Sequence, residues 1–176
     1  AALCLALGFI LLSLLTTRLR WLGLVPFAAG ILIASFPQRP DIYIDANGRD
    51  AAVRGTDGRL GLIGTRFSGF AASSWLAADG DLRAARDKST TEYVRCDKAG
   101  CTAPLPDGRM FALSWTYAAL REDCSRAAIV VTRLIAPPSC HATAYVIDAD
   151  DLVKTGAIAL TIGKDGVISL EAARGT

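Results

Sequence analysis

The first 36 residues carry no acidic side chain and only two basic ones, Arg18 and Arg20, which stand together between two apolar runs. The runs are Ala1–Leu15 (AALCLALGFILLSLL) and Trp21–Phe36 (WLGLVPFAAGILIASF). Neither shows a polar face, and a helix that is apolar all round must be covered all round, by lipid or by protein. Each run is a little short of the roughly 20 residues that cross a hydrocarbon core. The second lengthens toward Leu19 if Arg18 and Arg20 snorkel. Backbone groups in lipid must be satisfied within the segment, so the expected form is a transmembrane helical hairpin over residues 1–36. Trp21 suits the interfacial aromatic belt, and Gly8, Gly23, Gly30 and Pro26 are tolerable in such helices. The alternative is a helical hairpin buried in a protein core.

Short loops rich in Lys and Arg prefer the cytoplasmic side. Arg18 and Arg20 would then face inward and both chain ends outward. The expected location is the cell inner membrane, multi-pass, with a periplasmic C-terminal domain. A signal peptide fits poorly, because it has one short apolar core behind a basic segment. The start at Ala1, without methionine, suggests a fragment or a processed product.

All 17 acidic residues lie after Phe36, where the remaining basic residues balance them, so this part is neutral. A neutral domain lacks the basic field that dominates tight nucleic-acid affinity. Any contact with DNA is then local or transient.

Residues 37–40 form a stiff, proline-flanked linker to a domain over 41–176. Strands are expected at Asp41–Asp45, Asp50–Arg54 and Arg59–Ile63, separated by turns at Ala46–Arg49 and Gly55–Gly58. A helix is expected from Phe70 to Ala78, then a polar, mobile loop from Asp81 to Thr91. Further strands are expected at Tyr93–Cys96, Cys101–Ala103, Met110–Ser114, Ala127–Thr132 and Tyr145–Asp148. Thr116–Asp123 and Ala149–Lys154 suit helices, and Ala157–Ile162 with Val167–Ala172 a hairpin. Many short strands with three short helices indicate an α+β or layered α/β domain.

Cys4 lies in the first apolar run and reads as a small hydrophobe. Cys96, Cys101, Cys124 and Cys140 remain. Asp97-Lys98-Ala99-Gly100 has a tight-turn composition, which sets Cys96 opposite Cys101 in a hairpin, a geometry suited to a disulfide. Cys124 and Cys140 then form the second bridge. Zinc and free thiols are the alternatives, but a four-cysteine zinc site usually shows close C-x2-C pairs. Here four and fifteen residues intervene. Disulfides require an oxidising compartment, in accord with the outward placement.

The tract from Tyr43 to Leu60 resembles the opening of the metallo-β-lactamase-like domain in the ComEC family of competence proteins. Asp45, Gly48, Asp50, Ala51, Asp57 and Gly58 stand at matching places, while the family's glutamine-containing turn is altered to Ala46-Asn47-Gly48-Arg49. Asp123–Val131 resembles the strand that leads to the family's histidine-rich metal motif. Lys154–Ala157 through Gly166–Ile168 resembles its closing hairpin, and the apolar hairpin resembles the last membrane helices of the channel. With the paired cysteines, the pattern is most similar to alphaproteobacterial members.

The resemblance implies the C-terminal part of an inner-membrane protein that takes up single-stranded DNA during transformation, with the channel mostly upstream of Ala1. The implied partners are the membrane, single-stranded DNA carried by the whole channel, and other competence proteins or a second copy. Metallo-β-lactamase-type hydrolysis needs several histidines and carboxylates to hold zinc and activate water. This chain has a single histidine, His141, and Thr132–Pro138 reads TRLIAPP where a second histidine motif would fall. The domain is therefore expected to be a degenerate, non-catalytic version, with no cofactor, no metal ligands and no catalytic residues. The readings set against this are a metal-dependent nuclease or hydrolase and a membrane-tethered periplasmic binding module unrelated to DNA.

Other constellations are weaker. Cys140 and His141, adjacent in a strand, would point to opposite faces. Asp148, Asp150 and Asp151 suit a helix cap with first-turn acids better than a calcium loop. Ser73-Ser74 and Ser114 show no accompanying base. Trp75 and Trp115 are expected in the core, and Arg49, Arg54, Arg59 and Arg66 on a solvated surface rather than a DNA path. Thiol titration of the unreduced, denatured protein is expected to count Cys4 alone, and five thiols after reduction. Four further thiols before reduction would refute both pairings.

Overall fold

Alternating apolar residues between glycine turns fold here as two five-stranded sheets. In a computed structural model, which describes residues 2–14, 18–35, 39–64, 69–163 and 165–174, the chain divides into two units, Ala1–Arg39 and Pro40–Thr176. The side chains of residues 18–20 and 69 are also outside the description.

The first unit holds α1 (Ala2–Leu14), a 3₁₀ segment (Arg18–Gly23) and α2 (Leu24–Ala34). The helices have 13 and 11 residues, or about 20 and 16 Å at 1.5 Å per residue. About 30 Å of hydrocarbon lies between the two faces of a bilayer. Among the described residues no helix is long and apolar enough to cross a membrane. This overturns the transmembrane hairpin, and with it the multi-pass inner-membrane and periplasmic placement. For the second run the physical reason is that its opening winds as 3₁₀ rather than α, which leaves α2 only 11 residues. Snorkelling by Arg18 and Arg20, and the linker residues Pro37 and Gln38, lie outside the described residues. The glycines act as contact surfaces, because a Cβ on Gly8 would meet Phe27 at 2.7 Å and one on Gly30 would meet Leu5 at 2.8 Å.

In the second unit, β1 (Ile42–Ile44), β2 (Asp50–Arg54) and β3 (Leu60–Gly64) form an antiparallel run. Next come α3 (Gly69–Asp79), β4 (Arg95–Cys96), β5 (Gly100–Pro104), β6 (Met110–Ser114), α4 (Tyr117–Arg126) and β7 (Ile129–Thr132). The chain continues through α5 (Pro138–His141), β8 (Tyr145–Ile147), α6 (Ala149–Thr155), β9 (Ile158–Ile162) and β10 (Ile168–Ala172). The first sheet runs β10-β9-β1-β2-β3 and the second β4-β5-β6-β7-β8. All pairings in the first are antiparallel, whereas β6, β7 and β8 are mutually parallel. Parallel neighbours need a crossover, supplied by α4 between β6 and β7 and by α5 between β7 and β8.

The inner faces of both sheets meet in one core containing Ile42, Ile44, Val53, Phe111, Leu113, Ile129, Val131 and Leu160. On the outer face of the first sheet, Ala52, Leu60 and Leu62 contact Ala72 and Leu76 of α3. On the outer face of the second, Ala112 and Val130 contact Leu120 and Cys124 of α4 and Cys140 of α5. The order of layers is helix, sheet, sheet, helix, which refines the expected α+β, layered architecture.

Polar ties fasten the outer layer of the first sheet. Arg54, expected on a solvated surface, is largely covered. Its Nη2 donates to Asp79 Oδ1 at 2.6 Å and to Pro40 O at 2.7 Å, and its Nη1 to Gly58 O at 2.8 Å. The two side chains are 11% and 5% exposed. The Asp81–Thr91 stretch is likewise held in place, since Arg83 Nη2 donates to Leu60 O and Nη1 to Ser89 O. A 3₁₀ turn at Lys88–Thr91 follows, capped by Asp87. Arg54→Ala strands the buried Asp79 carboxylate and is expected to cost about 3–5 kcal/mol in denaturant unfolding. A loss below about 1 kcal/mol would reduce the pair to ordinary surface electrostatics.

Candidate functional site at the carboxyl edge of the parallel strands

Parallel strands bring their carboxyl ends to one edge, and side chains there converge. In this chain β6, β7 and β8 deliver Ser114, Thr132 and Asp148. Ser114 Oγ donates to Asp123 Oδ2 of α4 at 2.6 Å, and Thr132 Oγ1 donates to Ser114 O at 2.9 Å. Thr132 Oγ1 also accepts from Leu134 N at 3.2 Å. Burial, the largest cause, holds the Asp123 carboxyl above the usual carboxylate range, and the bond from Ser114 works against it. Ser114 was expected to have no accompanying base. The structure supplies one nine residues away, across a turn and two turns of helix. No local signal reveals such a pair.

Asp148 caps α6, with Oδ1 accepting from Asp150 N and Asp151 N, while Asp151 reaches back to Asp148 N. Its Oδ2 accepts from Ala136 N at 3.1 Å. The three acids therefore serve as the expected cap. His141 Nε2 lies 4.0 Å from Asp148 Oδ2. Its neighbour Cys140 is on the short helix α5 and not on a strand, which corrects the alternation expected there. Cys140 is bridged, so no thiol faces the imidazole.

The turn that opens the domain joins this edge. Asp45 Oδ1 accepts from Arg49 N at 2.7 Å and Asp50 N at 3.1 Å. Gly48 takes φ +59°, and a Cβ there would meet Leu152 at 2.6 Å and Arg133 at 3.3 Å. Glycine is required on both counts, conformation and space. This turn therefore docks against the end of β7 and against α6. Arg49 and Arg59 are exposed, while Arg66 lies outside the described residues. Trp75 stacks on Tyr43 and packs against the outer core, and Trp115 packs against the inner one.

All four expected cysteines are bridged, Cys96 to Cys101 and Cys124 to Cys140. The first pair lies directly opposite across β4 and β5. The second ties α4 to α5, and Cys4 is free. Beside the edge, between α4 and the β4–β5 hairpin, runs a groove of about 540 Å³ lined by Arg95, Thr102, Met110, Ala119 and Asp123.

The hydroxyls of Ser114 and Thr132 are both engaged, and Ser114 is fully buried, so neither stands as an open nucleophile. Among the described residues no group of three or more His, Cys, Asp or Glu side chains is placed to hold a metal ion. The arrangement is suited to presenting a fixed edge and groove to a partner. Comparison with protein-family models, curated proteins and solved structures returns no match.

A carboxyl group raised in the folded state contributes stability below its unfolded value and loses it as pH rises. Ser114→Ala removes the donor that favours the charged form. It is therefore expected to destabilise by about 1–3 kcal/mol at neutral pH, with the difference from the parent shrinking as pH falls through the raised range of Asp123, above the ordinary carboxylate value. Paired thermal melts across pH test this, and a difference that grows on acidification would refute it.

Proposed function

We propose that Pro40–Thr176 is a non-catalytic docking or gating module of a ComEC-type protein that takes up single-stranded DNA. The observation that carries this reading is the placement of the Asp45–Asp50 turn. Asp45, Gly48 and Asp50, three of the residues on which the resemblance rests, build one tight turn, and Gly48 seats it against Arg133 and Leu152. A turn so committed to packing positions its edge rigidly and uses the Asp45 carboxylate as a backbone acceptor. The layered helix-sheet-sheet-helix arrangement also supports the reading, because the resemblance implies a layered α/β domain.

Chemistry of the site agrees with a non-catalytic role. A water-activating metal centre requires several converging donors, whereas Asp148 is used as a helix cap and, among the described residues, no third such side chain joins it and His141. The neutral charge of the domain suits transient contact with a strand delivered by other parts of the machine, not tight independent binding. Its affinity for single-stranded DNA at physiological salt is expected to be no better than about micromolar.

In a naturally transformable host carrying this gene, removal of residues 40–176 is expected to abolish DNA uptake. Gly48→Val, which drives a side chain into Leu152, is expected to lower it severalfold. Full uptake without residues 40–176 would overturn the proposal. Cleavage of DNA by the purified chain with zinc or manganese would overturn the non-catalytic part and favour the hydrolase reading.

A further inference from the structure

The two disulfides sit in opposite surroundings. Cys124 and Cys140 are both buried, 8% and 1% exposed, in the core between the second sheet and its helices. Cys101 is also buried, at 2%, on the inner core face of β5. Its partner Cys96 is exposed, on a two-residue edge strand that pairs with β5 alone. Exposed disulfides are the labile ones, since exchange requires a thiolate to reach one sulfur in line with the bond.

The hairpin does not depend on the Cys96–Cys101 bond for its shape. Asp97 N donates to Gly100 O at 2.9 Å, and Trp115 N donates to Ala99 O at 2.8 Å. Asp97 Oδ1 accepts from Ala99 N and Gly100 N, which holds its carboxyl below the usual range. These bonds fix the turn between the two cysteines and tie its tip to Trp115, and the bridge itself closes a separation of only five residues. Opening it releases little chain entropy compared with the separation of sixteen in the buried pair. The bond can therefore be made and broken within a folded domain.

We propose that Cys96–Cys101 is a thiol–disulfide exchange site, entered at Cys96 by a dithiol of the two-cysteine oxidoreductase kind. A thiolate of the dithiol attacks Cys96 Sγ, the disulfide breaks, and the electron pair leaves on Cys101 Sγ, which takes a proton from solvent. The second thiolate of the reductant then attacks its own sulfur in the mixed disulfide and releases Cys96. The sum is two cysteine thiols here and one disulfide on the reductant, a balanced two-electron exchange. Run in reverse, it restores the bridge. Cys101 is shielded by the core, so the mixed disulfide forms on Cys96. Cys124–Cys140 stays closed throughout.

The test uses the full chain with Cys4→Ser. Dithiothreitol is added under native conditions, the reaction is quenched by alkylation at intervals, and each cysteine is followed by mass spectrometry and the fold by circular dichroism. Cys96 and Cys101 are expected to become alkylated at least about tenfold faster than Cys124 and Cys140, with an unchanged spectrum. Opening of both bridges at one rate, together with loss of the spectrum, would overturn the proposal. Glutathione disulfide then probes the entry sulfur. Cys101→Ser is expected to trap glutathione on Cys96 at least about tenfold faster than Cys96→Ser traps it on Cys101. Equal rates would overturn the assignment of Cys96. If either variant fails to fold, the alkylation kinetics of the Cys4→Ser chain decide alone.

Discussion

Strands buried on both faces constrain everything else in Pro40–Thr176. In β2 and β6, residues facing inward join the shared core, while Ala52 and Ala112 between them face outward and are just as fully buried. A sheet with two apolar faces needs two coverings, so neither sheet can stand with the other alone. Helix α3 must cover the first and α4 with α5 the second. The alanines at these outward positions let the helices approach closely, and Leu76 and Leu120 fill the space above them. Cover ends where the apolar outer face ends. Helix α4 lies over β6 and β7, and the outward residues of β5 (Gly100, Thr102 and Pro104) are only partly buried. The groove beside α4 is the consequence of that boundary.

The same requirement explains the buried charges. A covering helix has to be held at its end, and Asp79, the last residue of α3, is drawn down to Arg54 on β2. Arg83 performs the equivalent tie for the segment that follows, through Leu60 O on β3. Both arginines reach backbone carbonyls as well as carboxylates, so the loss of one partner leaves several polar groups unsatisfied in poor solvent. Tyr93 completes the seal. Its ring lies over Gly55 and Gly61, and its hydroxyl donates to Val53 O and Arg59 O. Burial pushes that hydroxyl up to about 12.

Local chemistry was legible in the sequence, and long-range pairing was not. Strands and helices after Asp41 fall close to where alternation and turn residues place them, because Asp57-Gly58 and Asp107-Gly108 specify their turns within a few residues. The cysteine pairing was legible for the same reason, through the turn composition between Cys96 and Cys101. Arg54 misled because nothing near it in sequence announces Asp79. Ser114 misled in the same way, its partner Asp123 being reached only through the fold. The helix α5 is too short to leave a periodic signal. For the N-terminal runs, hydropathy counts apolar residues but does not say where a helix begins, and the 3₁₀ segment at Arg18–Gly23 takes residues that a spanning helix would need.

The disulfides fall where the noncovalent structure is thinnest. Strand β4 has two residues and helix α5 has four, both too short to persist without tertiary support. Each carries one cysteine, bonded to a longer neighbouring element, Cys101 of β5 or Cys124 of α4. The buried bridge fixes the crossover between β7 and β8, and thereby the position of His141 and of the loop that meets Asp148. The exposed bridge sits beside Trp115, where β6 leaves the sheet, and the tie from Trp115 N to Ala99 O joins the hairpin tip to that edge. Backbone bonds therefore keep the hairpin tip tied to the carboxyl edge of β6 whether the bond at Cys96 is closed or open, while the buried bridge holds the crossover beyond it.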